Sequence, residues 1–153
     1  MRLFRTDSGR IGLRWMVNGL SALKVPPFAG FGRSDDLWRT TCFELFVSDA
    51  AGGGYSEYNF SPSHRWAAYH FVGYRDGMSA IEVSTDPLIV PEAGDELFVQ
   101  TVWLDGSVFE GTASIGLCAV IEEISGRKSY WALAHGRDEP DFHDPACFAL
   151  TLG

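Results

Sequence analysis

Long apolar runs are missing from this sequence. The longest, such as Leu117 to Ile121, are core-sized, well short of the roughly eighteen to twenty residues that a membrane-spanning helix needs. Basic charge is also scarce: twelve Lys and Arg stand against twenty Asp and Glu, for a formal charge of −8. Binding to phosphates needs clustered cations, so neither nucleic acid nor a membrane is expected as a partner. Only Lys24 and Lys128 are lysines, which leaves Arg, the better donor for planar bidentate contacts, as the main cation. Cysteine is limited to Cys42, Cys118 and Cys147, an odd set without a C-x-x-C pair. Each lies in an apolar segment, where a free thiol acts as a small hydrophobe. The start, Met1 to Arg10, has basic residues but no apolar stretch behind them and no small-residue cleavage site. A reducing, cytoplasmic setting is therefore expected.

The usual marks of catalysis are absent too. There is no G-x-G-x-x-G after a strand, no phosphate loop and no H-E-x-x-H. Ser114 misses the nucleophile-elbow spacing by one residue. No pair of carboxylates stands out as acid and base, and the expectation is a protein that is not an enzyme. Asn59-Phe60-Ser61 matches a glycosylation sequon, which carries little weight without a secretion signal. His143, Asp144 and Cys147 do not have the spacing of a known closed metal site, so no metal is expected.

What the chain has in quantity is aromatic surface. Twenty-one of its 153 residues are Phe, Tyr or Trp, and 46% are hydrophobic. Such a chain is too apolar to be disordered, and its length fits one domain, residues 1–153. No stretch of about fifteen residues keeps a 3.6-residue apolar period, whereas a period of two recurs. Ile11, Leu13, Trp15 and Val17 alternate with smaller or polar residues. Phe43, Leu45 and Val47 share one strand face, with Cys42, Glu44 and Phe46 on the other. Tyr58 and Phe60 oppose Glu57, Asn59 and Ser61. Ala67, Tyr69 and Phe71 oppose Trp66, Ala68 and His70.

Further strands are expected over Ala80–Ser84, Glu96–Leu104, Ser114–Ile124, Ser129–Ala134 and Cys147–Leu152. Turn signals separate them at Ala50–Gly54, Ser61–Ser63, Asp105-Gly106 and Ser125-Gly126. About nine short strands at this spacing predict an all-β fold, an antiparallel β-sandwich of jelly-roll type, with a closed barrel as the alternative. Trp15, Phe43, Phe60, Phe71, Trp103 and Phe148 are expected in its core.

Two segments concentrate side chains that recognise ligands. Leu37–Phe71 and Ser129–Phe148 together hold three of the five Trp and all four His. Trp38 follows the polar Ser34-Asp35-Asp36, so exposure is expected. Glu44 interrupts an apolar strand, where a carboxylate is solvated, paired with an Arg such as Arg39 or Arg65, or used. Asn59 precedes a turn, which an Asx-type contact would also explain. His135 and His143 lie in an irregular segment with Gly136, Pro140 and Pro145, and could tie it down.

Several stretches resemble the DOMON-like domains, in particular a bacterial branch. These are β-sandwiches related to the family 9 carbohydrate-binding modules and to haem-binding DOMON cytochromes. The stretches are Trp38 to Val47, Tyr58 to Ser63, Trp66 to Tyr69, and Ser129 to His135 with Asp141 to His143. The resemblance implies binding of a small ligand on a sandwich face or end, without catalysis. Sugar-binding members resemble this chain in an aromatic residue before a strand, an acid six positions later, and an Asn before the turn that ends the next strand. Trp38, Glu44 and Asn59 match. A sugar's C–H face stacks on an indole while its hydroxyls meet planar acceptors and donors. Trp66 or Trp131 is the candidate second aromatic, with His135 and His143 nearby. The chain departs from the pattern at Glu57, where sugar-binding members often place a basic residue. The haem-binding relatives imply the alternative cofactor, haem b, with Met16, Met78, His135 and His143 as the candidate axial ligands. A third reading is a protein-interaction module with an exposed edge or aromatic patch.

Overall fold

A computed structural model describes residues 1–7 and 9–151. Its regular structure is almost entirely strand, in two sheets. The chain runs through β1 (Arg2–Arg5), β2 (Ile11–Asn18), β3 (Gly32–Arg33), β4 (Cys42–Asp49), β5 (Tyr55–Phe60) and β6 (Arg65–Phe71). It continues through β7 (Ser79–Ala80), β8 (Leu88–Ala93), β9 (Leu97–Leu104), β10 (Thr112–Glu122), β11 (Lys128–Ala132) and β12 (Leu150–Thr151). The smaller sheet has the order β1-β2-β9-β8. The larger has the order β11-β10-β4-β5-β6-β3, with β12 beside β10 and β7 beside β6. Pairing is antiparallel throughout except where β3 runs parallel to β6. Among the described residues no helix is long and apolar enough to cross a membrane.

The β-sandwich expected from the period-2 pattern is present, with twelve strands in place of nine. The expected Cys147–Leu152 strand reduces to Leu150–Thr151, because Pro145 opens a 3-10 turn over Pro145–Cys147 and Asp144 caps it by accepting from the Ala146 N–H. Leu152 lies outside the described residues. The Ala80–Ser84 strand ends at Ala80, because Ile81 and Val83 turn to pack on the inter-sheet core instead. Three strands escape the pattern. β1 and β3 are short, and β8 carries Pro91, which is tolerated because β8 is an edge strand.

Alternation sorts the side chains of the larger sheet onto two buried faces. The inner face packs Phe43, Leu45, Val47, Tyr58, Phe60, Trp66, Ile115 and Leu117 against Ile11, Leu13, Trp15, Phe98 and Val102 of the smaller sheet. The outer face carries Phe46, Tyr55, Phe71, Cys118 and Val120. It is covered by the irregular chain around Phe142, Cys147 and Phe148. Gly116 sets how closely that cover sits, since a Cβ there would meet the Cys147 carbonyl oxygen at 2.9 Å. Two stacked sheets would leave the outer face wet. This cover makes it a second interior.

Candidate functional site

The outer face of the larger sheet is apolar at one end and acidic at the other. Register explains the acidic end. Glu44 on β4 stands directly opposite Asn59 on β5 and Cys118 on β10, and Glu57 on β5 stands opposite Tyr69 on β6. Parity along each strand puts all five side chains on one face. Glu44 is only 3% exposed, Glu57 6% and Asn59 1%.

The polar groups here are incompletely paired. Asn59 Nδ2 donates to Glu57 Oε1 at 2.7 Å, while Asn59 Oδ1 finds no partner among the described residues. No described residue hydrogen-bonds or ion-pairs the Glu44 carboxyl. Burial, and then the charge of Glu57, push it well above the ordinary carboxyl range. Burial also raises Glu57, against the Asn59 hydrogen bond and the field of Arg75. The cations considered from sequence are occupied elsewhere. Arg39 pairs with Asp36 at 3.2 Å, and Arg65 donates to the Ala29 and Phe31 carbonyls. Asn59 does not cap the following turn, which Ser61 and Ser63 tie together.

Two irregular segments flank this acidic cup. On one side, Asp36 takes a left-handed conformation (φ 60°) that opens a 3-10 turn over Leu37–Arg39, a conformation Asp tolerates better than most residues. The turn leaves Trp38 50% exposed, with the Arg39 guanidinium 5.4 Å from its ring centroid. Beside it, the Tyr69 hydroxyl donates to Asp35. On the other side, His143 sits edge-on to Phe46 and Phe71, at 5.2 and 5.1 Å between ring centroids. Its Nδ1 is 2.7 Å from the Tyr55 hydroxyl. Burial first, then the charge of Arg75, lower its pKa to about 4. At neutral pH the 3.6 Å approach of His143 Nε2 to Glu57 is therefore not an ion pair. Asp141 latches this segment, bonded to Arg75 at 2.8 Å and to the Tyr74 hydroxyl.

Glu44, Asn59 and His143 thus meet on one face of one sheet, and Trp38 lies in the turn that follows Asp35, which bonds Tyr69 on that face. His135 is exposed in the same covering segment, its ring 6.4 Å from that of Phe142. The other two candidates are elsewhere. Trp66 points into the inter-sheet core, with Arg33 over its ring at 4.7 Å. Trp131, opposite Ala119, is 58% exposed and lines a cleft of about 540 Å³ between the sheets with Trp15, Met16, Leu23, Phe43 and Ile121. One residue of slip along a strand reverses its face, so proximity in sequence did not make either tryptophan a partner of Trp38.

The haem candidates are spread over several elements. Met16 belongs to the smaller sheet and Met78 to the exposed β6–β7 connection, while His143 is boxed by aromatic rings on the far face of the larger sheet. His143, Asp144 and Cys147 are likewise engaged separately. His143 bonds Tyr55, Asp144 pairs with Arg137, and the Cys147 thiol donates to the Asp141 carbonyl. The three cysteines are free and buried. Sequence reasoning did not single out Tyr55, Tyr69 or Asp35. Tyr55 and Tyr69 carried a signal, since register and parity put both on the Glu57 face. Asp35 sits in a loop and carried none.

No family model matches the chain, and no curated protein matches it in sequence. Among solved structures, a Bacteroides uniformis protein described as a "putative carbohydrate-binding protein" is similar. Its TM-score is 0.59 at 16% sequence identity, over 91% of this chain and 71% of that one. At that identity the likeness shows a shared fold.

Proposed function

We propose that this chain is a non-catalytic binding module for a saccharide or related polyol. The ligand would be recognised at the outer face of the larger sheet, with the kinship to the family 9 carbohydrate-binding modules that the residue pattern implies. The observation that carries the reading is the pairing deficit at the cup: Asn59 Oδ1 is buried without a partner, and no described residue bonds the carboxyl of Glu44, a residue only 3% exposed. A buried polar group without a partner costs about 1–3 kcal/mol. Ligand hydroxyls would relieve that cost by supplying the missing donors. Trp38 supplies the other element, a half-exposed indole beside the cup on which a ring's C–H face can stack. The description of the Bacteroides protein is in keeping with this reading. The module works without haem or another cofactor.

Titration calorimetry against a panel of mono- and disaccharides tests the reading. We expect binding that Trp38→Ala removes while the melting temperature stays unchanged. Absence of heat across the panel, or full retention of binding by Trp38→Ala, would overturn it.

A further inference from the structure

Glu57 occupies the position where the sugar-binding pattern often has a base, and it brings a second carboxyl to the cup instead. Glu44 and Glu57 flank Asn59 on one face, at 3% and 6% exposure. Two buried carboxyls so placed require a proton or a cation between them. Among the described residues no lysine or arginine is in contact with either, and the one basic neighbour is His143, whose Nε2 approaches Glu57 at 3.6 Å. Arg75 acts on Glu57 only through its field and is held by Asp141 at 2.8 Å. Lys24 is held by Glu122 at 2.9 Å, farther along β10. Asn59 Oδ1, in a residue 1% exposed and aligned across from Glu44, is a further acceptor, and it has no donor among the described residues. Two carboxyls and one amide oxygen fall short of the six to eight oxygens that calcium takes. They match in number the three N–H donors of a primary ammonium.

We infer that the cup selects a saccharide-like ligand carrying a primary ammonium, which donates to Glu44, Glu57 and Asn59 Oδ1. This rests on the saccharide reading above and narrows it. Hydrogen bonds to charged groups are the stronger kind, and the acidic surroundings, with Asp35 and Asp36 beside Trp38, oppose an anionic sugar.

The test is calorimetry of the full chain with three matched pairs: glucosamine and glucose, galactosamine and galactose, mannosamine and mannose, with each amine in its charged form. In at least one pair the amino sugar binds about tenfold or more tightly than its neutral partner. In Glu44→Gln/Glu57→Gln that ratio falls to near one, because the amino sugar loses more affinity than its neutral partner. Equal affinities within every pair would overturn the inference and leave the saccharide reading standing. An amine preference that survives the double substitution would also overturn it, by placing ammonium recognition outside the cup. No binding by any of the six sugars would overturn both. The wild-type ratios alone decide the inference if the double variant fails to fold.

Discussion

The molecule has two candidate sites, and they are built on opposite logic. The cleft between the sheets is the roomier, about 540 Å³, and its lining is mostly apolar: Trp15, Val17, Leu23, Phe43, Ala119 and Ile121. It is what remains where two stacked sheets diverge at an edge. Its unpaired polar atom, the Trp15 indole N–H, is a single neutral donor. The acidic end of the outer face instead concentrates two carboxyls and an amide that lack adequate partners. Size alone would choose the cleft. The cost of buried, unpaired polar groups chooses the cup, because packing alone gives no reason to keep two carboxyls under cover.

The largest effect that separates the two regions should come from Phe43→Ala. Phe43 is fully buried, stacks on Phe98 with centroids 6.1 Å apart, and borders the cleft. Its loss should cost about 3–5 kcal/mol in chemical denaturation and leave saccharide affinity unchanged in the molecules that remain folded. Gly116→Val acts from the other side. It forces the Cys147 turn off β10, with an expected cost of about 1–3 kcal/mol. Because that turn helps cover the outer face, this substitution should weaken ligand binding where Phe43→Ala does not.

Stability against pH sharpens the contrast further, and here only signs are predicted. Glu44 titrates higher in the folded than in the unfolded chain, so the folded state binds more protons above the ordinary carboxyl pKa. Stability then falls as pH rises from there. Glu44→Gln should remove part of that fall, matching the wild type in acid and exceeding it at neutral pH. His143, lowered to about 4, acts oppositely. The unfolded chain takes up the proton first, so stability is lost as pH drops from about 6.5 to about 4. His143→Gln should flatten that acid limb in thermal melts, although Tyr55, Glu57, Arg75 and Asp141 all face the ring. The smallest stability effect belongs to Trp38→Ala, within about 0.5 kcal/mol for an exposed turn residue. Loss of binding with no loss of stability is the pattern that separates a ligand platform from a core residue.

Much of the larger sheet was legible in the sequence because its strands are long and amphipathic. Glu44 with Cys42 and Phe46, and Asn59 with Glu57, fell on the correct faces from parity alone. That was enough to bring Glu44 and Asn59 together once β4 and β5 were joined by the Ala50–Gly54 hairpin. The second aromatic was not legible. Trp66 is one residue from Ala67, which faces the cup, and Trp131 is one residue from Ala132, which packs on the outer face. Only the register of the neighbouring strand decides which of each pair turns outward. The cover over Phe46 and Tyr55 was also hidden. It is held by side-chain bonds of Asp141 and His143 across long sequence separations, and no periodicity records such contacts.

The claim that the cup, and not the cleft, is the recognition site is most directly tested by amide chemical-shift mapping during titration with the tightest-binding sugar of the panel. The account predicts perturbations clustered at Trp38, Glu44, Glu57, Asn59 and Ala67, with Trp15, Met16 and Ile121 unmoved. Perturbations centred on Trp15, Ile121 and Trp131 would contradict it.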